Sequence, residues 1–395
     1  MSPLAGRTVL QIIPDMEAGG AERTTIDVAE GLVAQGARAL IASEGGRLIG
    51  ELQAKGGIWL DFPAATKNPF AMMLNARRLA RLIRQHRVDI VHARSRAPAW
   101  VALAACRATG TPFVTTYHGS YAGRSAAKVL YNSVMARGDV VIANSAYTAE
   151  LIAAQHGRVV SRIRVIPRGT DMSRFERHTV DHGRVAALRT AWNVGPHERI
   201  VLLAARLTPW KGHRVLIDAT KQLISQGVHD IAVVLAGDPQ GRDNYVAELD
   251  KLVNQNGLGA IVRRVGHVTD MAAALVAATV VTVPSTEPEA FGRVAVEAQA
   301  MGVPVVVSDH GAVPETVLAP PQVGAEARTG WRVTPGDPSA LAAGIRSALE
   351  LRPSARDALA ERARRHVEQE FRLERMVEDT LDAYSALLEQ RHMKD

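Results

Sequence analysis

A chain of 395 residues with 47% hydrophobic content is long for one core and comfortable for two ordinary domains. Its single cysteine, Cys106, excludes an intrachain disulfide and fits a reducing compartment. The net charge of +7 comes with only 4% aromatics and no zinc-ligand spacing or nucleic-acid motif, which argues against a nucleic-acid partner.

In chain order, Met1 to Arg7 lacks the apolar core of a signal peptide, and no run of about 18 apolar residues follows that could span a bilayer. The expected location is cytoplasmic, or peripheral on the cytoplasmic face of the inner membrane. A strand is predicted at 9–13. A loop with Gly19 and Gly20 then opens a helix through about Ala34, and a second strand covers 37–42. The segment Arg77 to Arg87 carries no acid, and at helical spacing Arg77, Arg81 and Arg84 share one face while Leu79, Leu82 and Ile83 cover the other. A basic amphipathic surface of this kind suits anionic lipid headgroups or an anionic acceptor, and an ordinary solvated helix face is the alternative. Further strands are predicted at 89–92, 112–117, 140–143 and 163–166.

A polar, weakly patterned stretch at 172–196 reads as a boundary. Beyond it the alternation restarts with strands at 199–204, 231–236, 260–265, 280–283 and 303–307, and a helical tail begins at Pro338. Short β-branched runs separated by helices predict an α/β fold of two doubly wound, Rossmann-like units whose parallel sheets are covered on both faces. The expected division is 1–171, a boundary at 172–196, a second domain at 197–375, and a last helix at 376–395.

The most informative stretch is Glu289-Ala290-Phe291-Gly292-Arg293-Val294-Ala295-Val296-Glu297. Two carboxylates flank a Phe-Gly turn where a strand hands over to a helix, on the side of a doubly wound sheet where ligands bind. In a continuous helix they would lie roughly 12 Å apart along the axis; a loop over the first positions would bring them nearer to one ligand. The alternative is a pair of solvated acids favoured by a helix dipole. Arg206 and Lys211 bracket a Pro-containing turn just after a strand, so both cations can project toward one point. Gly19 and Gly20 permit close backbone approach to a ligand at a helix N-terminus. His118, at another strand end, precedes Gly119. Neither a dinucleotide fingerprint nor a P-loop occurs. No Asp-x-Asp triplet is present, and no divalent cation is expected.

This set resembles family-4 retaining glycosyltransferases of GT-B fold, in which two Rossmann-like domains flank a cleft. It is similar to bacterial transferases of lipopolysaccharide and exopolysaccharide synthesis. The resemblance implies that Glu289 contacts the donor sugar and Glu297 the nucleotide ribose. It implies that Arg206 and Lys211 bind the donor diphosphate without a metal, and that His118 meets the sugar hydroxyls. Gly19 and Gly20 would face the donor phosphates, Gly266 and His267 the base, and Phe291 and Gly292 the donor. His92-Ala93-Arg94-Ser95 would belong to acceptor-side architecture, Asn144-Ser145 to the cleft floor, and Asp309 to Glu315 to the segment following the last donor-domain strand. The last helix would pack back on the first domain through Leu381, Tyr384, Leu387 and Leu388. One departure is Pro167-Arg168-Gly169-Thr170-Asp171, where many relatives carry asparagine in place of Arg168.

The implied activity is metal-independent, front-face hexosyl transfer from GDP-mannose or a UDP-hexose to a lipid-linked, lipopolysaccharide or exopolysaccharide acceptor, with no cofactor beyond the nucleotide-sugar co-substrate. A nucleotide-sugar epimerase of the same architecture and a non-catalytic nucleotide-sugar-binding subunit are the alternatives.

Overall fold

The computed structural model describes residues 2–17, 19–119 and 125–392. They form two compact units, Met1–Gly169 with Leu373–Asp395, and Thr170–Arg372.

The first unit is built on a seven-stranded sheet: β1 (Thr8–Ile12), β2 (Arg38–Ser43), β3 (Ile58–Asp61), β4 (Ile90–Ala93), β5 (Phe113–Tyr117), β6 (Val140–Ala143) and β7 (Ile163–Val165). The order is β3-β2-β1-β4-β5-β6-β7, with every pairing parallel. Side-chain alternation along a strand loads both faces. Leu10, Ile12, Leu40 and Val91 enter one apolar cluster, while Val9, Ile41 and Ile90 enter the other. Helix Leu373–His392 belongs to this unit and sends Met376, Leu381, Tyr384, Leu387 and Leu388 into the second cluster.

The second unit repeats the plan with six parallel strands: β8 (Arg199–Ala204), β9 (Ile231–Ala236), β10 (Val262–Gly266), β11 (Val280–Val283), β12 (Val305–Ser308) and β13 (Trp331–Val333), ordered β10-β9-β8-β11-β12-β13. Ile200, Leu202 and Val281 face one cluster, and Val201, Leu203 and Val280 the other. The doubly wound α/β expectation therefore describes both units.

Two strands absent from the sequence expectation, β3 and β13, are both edge strands. Neither is fully buried, so neither needs the apolar run that marks the central strands. The boundary expected at 172–196 is corrected. This stretch lies inside the second unit, where helix His182–Ala191 packs Val185 and Leu188 onto the core and Val180, Trp192 and Val194 are buried. Its apolar residues are spaced among charges, which hid their common face. Among the described residues, no helix is long and apolar enough to cross a membrane.

Candidate active site

In a sheet of this order the strand sequence reverses direction between the first and fourth strands. The crevice beyond their carboxyl ends is where such folds take ligands. In the second unit that point lies between β8 and β11, and both of its loops carry charge. The loop after β8 presents Arg206, exposed and without an ion pair among the described residues. It then makes a short helical turn, Pro209–Lys211. The loop after β11 holds Ser285 and Glu289, both buried.

The two loops meet through side chains. Lys211 Nζ lies 2.5 Å from Glu289 Oε1, with 17% and 11% of the side chains exposed. Ser285 Oγ donates to the same carboxylate oxygen at 2.6 Å. Glu289 Oε2 has no hydrogen-bond partner among the described residues. The Trp210 ring centroid is 4.1 Å from Lys211 Nζ, which adds a cation–π contact to the ion pair.

The backbone holds this arrangement. Gly212 has φ +77°, and a Cβ there would meet the Pro284 carbonyl oxygen at 1.8 Å. Only glycine allows the loop after β8 to press against the loop after β11 in this way. Thr286 N donates to Trp210 O at 2.7 Å and fastens the same contact. Gly311, on the loop after β12, has φ +64°, and a Cβ there would meet Glu289 O at 2.4 Å; Ala312 N donates to that carbonyl at 2.9 Å. Three strand-end loops thus converge on Glu289, those after β8 and β11 at its carboxylate and that after β12 at its backbone carbonyl.

Glu297 sits in the second turn of helix Arg293–Ala300, not the first, so the helix dipole gives it little support. It is buried and pairs with Arg293 Nε at 3.2 Å. Gly292 begins this helix at φ +82° with no side-chain cap. Ala295 N donates to Gly292 O at 3.0 Å, and the N–H groups of Arg293 and Val294, without a partner among the described residues, are left for a ligand. The Phe291 ring is buried edge-on against Phe371 with centroids 5.4 Å apart, so this residue can offer a ligand its backbone rather than its ring. Gly266 ends β10 at φ +74° and accepts from Gly237 N at 2.7 Å, and His267 beyond it is exposed.

The first unit gathers polar groups at the carboxyl edge of its own sheet, but many are consumed internally. Arg94, 3% exposed, donates from Nε to Gln11 Oε1 at 3.0 Å. His92 is fully buried, with Nδ1 2.6 Å from Tyr384 Oη and Nε2 2.7 Å from Thr116 Oγ1. The His92–Ser95 cluster therefore turns its two largest polar side chains into the scaffold. His118, after β5, lies 3.4 Å from the Arg168 guanidinium through Nδ1, while its buried Nε2 meets no partner among the described residues. A Cβ on Gly20 would lie 2.6 Å from Arg168, which puts that guanidinium beside the N-terminus of helix Gly20–Ala34. Gly19 begins that helix without a side-chain cap. Asn144, after β6, is buried with both amide atoms unpartnered among the described residues.

Burial, reinforced by Arg168 and Arg94, holds the His118 pKa well below the usual histidine value, so its ring is neutral near pH 7. Burial also lowers His310, against opposing contributions from the Ser285 backbone and from Glu289 and Asp309. At the start of helix His213–Ser225, burial lowers His213 to about 4, with the Thr208 backbone opposing and Lys211 assisting.

Sequence reasoning singled out Glu289, Lys211 and Arg206, and the structure joins the first two directly. It missed the role of Ser285 and the placement of His310, since both depend on which loops meet.

Residues 18–174 match the family described as Glycosyltransferase Family 4, and residues 186–366 match Glycosyl transferases group 1. A D-inositol 3-phosphate glycosyltransferase from Jonesia denitrificans is 31% identical over 255 residues, covering 64% of this chain and 58% of that protein. The chain spans about half the length of the curated relatives it matches. Among solved structures, a glycosyltransferase from Rickettsia africae ESF-5 is 31% identical over 97% of this chain and 99% of its own, with a TM-score of 0.87. Anabaena HepE in complex with UDP and glucose is 25% identical over 96% of this chain and 100% of its own, with a TM-score of 0.82.

Proposed function

The chain belongs to the glycosyltransferases of GT-B fold, and we propose that it moves a hexose, with retention at the anomeric carbon, from a nucleotide-diphosphate sugar to a glycan or lipid-linked acceptor. The observation that carries this reading is the Lys211–Glu289–Ser285 node where the loops after β8 and β11 meet.

Glu289 Oε1 is already occupied by an ammonium and a hydroxyl, which makes the carboxylate a weakened nucleophile. Its Oε2 remains able to accept hydrogen bonds from sugar hydroxyls. This supports a front-face course. The acceptor oxygen bonds to the anomeric carbon as the bond to the diphosphate oxygen breaks, and that oxygen takes the acceptor's proton. Negative charge builds on the leaving diphosphate, where Arg206 and Lys211 stabilise it without a metal ion. Glu297 holds the ribose, and the uncapped helix start at Gly292 favours the phosphates. Gly266 and His267 border the base, and Phe291 serves through its backbone. In the first unit, Gly19 and Gly20 offer an uncapped helix start to an anionic group, and His118 offers a neutral ring to a sugar hydroxyl.

UDP and glucose in the Anabaena protein favour a UDP-hexose donor over GDP-mannose. The curated relatives' names make an inositol phosphate an acceptor to test beside lipid-linked, lipopolysaccharide and exopolysaccharide glycans. The test incubates the protein with a panel of nucleotide sugars in the presence of a chelator and measures released UDP or GDP with and without each acceptor. Acceptor-dependent release of the nucleoside diphosphate supports transfer. Sugar conversion without an acceptor would make the protein an epimerase, and binding without release a non-catalytic subunit. A trapped glycosyl–Glu289 adduct or an anomer-inverted product would overturn the front-face course.

A further inference from the structure

Helix Pro69–His86 carries the basic run of the first unit, and its surface differs from the expectation drawn from sequence. Leu79 and Ile83 are 0% and 2% exposed and belong to the core of the unit, so that apolar face is spent on folding. A second apolar set is left outside: Phe70 is 77% exposed, Leu74 60% and Met73 50%.

At 100° per residue, Phe70, Met73 and Leu74 fall on the same arc as Arg77, Arg78, Arg81 and Arg84, opposite Leu79 and Ile83. The exposed face therefore has two zones, an apolar wedge over the first turns and arginines over the turns that follow. No Asp or Glu occurs from residue 62 to residue 88. The recorded polar contacts of these arginines go to backbone carbonyls, Arg78 to Asp61 O and Arg84 to Ala108 O, and none of the four forms an ion pair among the described residues. Three large apolar side chains in water beside four uncompensated guanidinium groups form an unfavourable surface unless something covers it.

We infer that this face docks on an anionic membrane surface, with Phe70, Met73 and Leu74 entering the headgroup–acyl boundary and Arg77, Arg78, Arg81 and Arg84 meeting lipid phosphates. Charge complementarity selects the occupant. A second copy would bring like-charged arginines together, and a neutral apolar partner would leave the guanidinium groups unmatched. A bilayer of anionic lipid supplies both zones at once, and arginine stems can bury methylene groups while their heads reach phosphate. The inference deepens the proposed use of a lipid-linked acceptor but rests only on the surface of the first unit. Vesicle binding without any nucleotide sugar can fail or succeed independently of transfer.

The test is flotation of the full chain with vesicles of phosphatidylglycerol and phosphatidylcholine in equal parts, against phosphatidylcholine alone. Binding is expected on the anionic vesicles at low salt and is expected to weaken as salt is raised. Removal of two guanidinium charges in R77Q/R81Q should weaken binding roughly thirtyfold. F70S/L74S should weaken it roughly tenfold or more at unchanged charge. Val160→Ser, at another exposed apolar position, should leave it unchanged. Circular dichroism and melting of each variant show that the fold is intact. No binding to anionic vesicles at low salt overturns the inference, as does binding unaffected by both double variants. Self-association that F70S/L74S abolishes, without vesicle binding, would assign the face to a second copy instead.

Discussion

The two sheets share one strand order, yet their switch points are furnished in opposite ways. Between β1 and β4 the polar side chains are sunk into the protein and matched to one another. Arg94 is bound to Gln11, and His92 is held between Tyr384 and Thr116. Between β8 and β11 the charged groups lie at the mouth of the sheet, with a shared carboxylate oxygen, a second oxygen unoccupied and Arg206 exposed. Topology supplies a place at which a ligand can be held. Whether the residues there are consumed by the fold or presented outward decides which place carries charge to a substrate.

The comparison can be broken from either side. The largest effect is expected in the first unit. Gln11→Leu removes the acceptor of a buried guanidinium and should cost about 3–5 kcal/mol of stability, read as a lowered melting temperature. Adding Arg94→Met removes the stranded charge and should restore most of the loss. If the single substitution melts like the parent, the buried pair is not structural.

In the second unit the reverse pattern is expected. Arg206→Gln should lower kcat roughly 10²–10³-fold, the scale of one lost transition-state donor, with the melting temperature unchanged. Normal turnover by this variant would remove Arg206 from the chemistry.

The smallest effect is shared by both units. His92, His118 and His213 have folded pKa values below the ordinary 6.5, by burial first, so the native state holds them neutral. Their stabilising contribution is full above pH 6.5. It is lost as pH falls because the unfolded chain takes up protons first, and for His213 the loss runs until its folded value of about 4. At one pH unit below 6.5 the cost through His213 should be about 1 kcal/mol, and His92 and His118 act in the same direction. Melting curves across that interval measure the slope, and His213→Gln should flatten it. An unchanged slope would mean that His213 does not resist protonation in the folded state.

The placement of the candidate site's charged residues was legible in the sequence because they follow strand ends. Arg206 and Lys211 come just after one β-branched run and Glu289 after another, and a parallel sheet brings all strand ends to one edge. The helix Pro69–His86 was legible as basic on one face and apolar on the other, but the exposure of Phe70, Met73 and Leu74 was not. Phe70, Met73 and Leu74 read as part of a helical apolar pattern as readily as Leu79 and Ile83 do. The edge strands β3 and β13 were hidden for a related reason, since partial exposure erases the hydrophobic run that betrays a central strand.

By itself the sequence determined the alternation of strands and helices, the division into two doubly wound units and the kinds of charge available at their strand ends. These follow from local periodicity, which each segment carries within itself. Only the tertiary structure decided that Lys211 and Ser285 share one oxygen of Glu289, that Arg94 and His92 are spent on the scaffold, and that Phe70 faces solvent. Those outcomes depend on close approaches between segments distant in the chain, such as Gly212 against Pro284 and Gly311 against Glu289, and no local pattern encodes the distance.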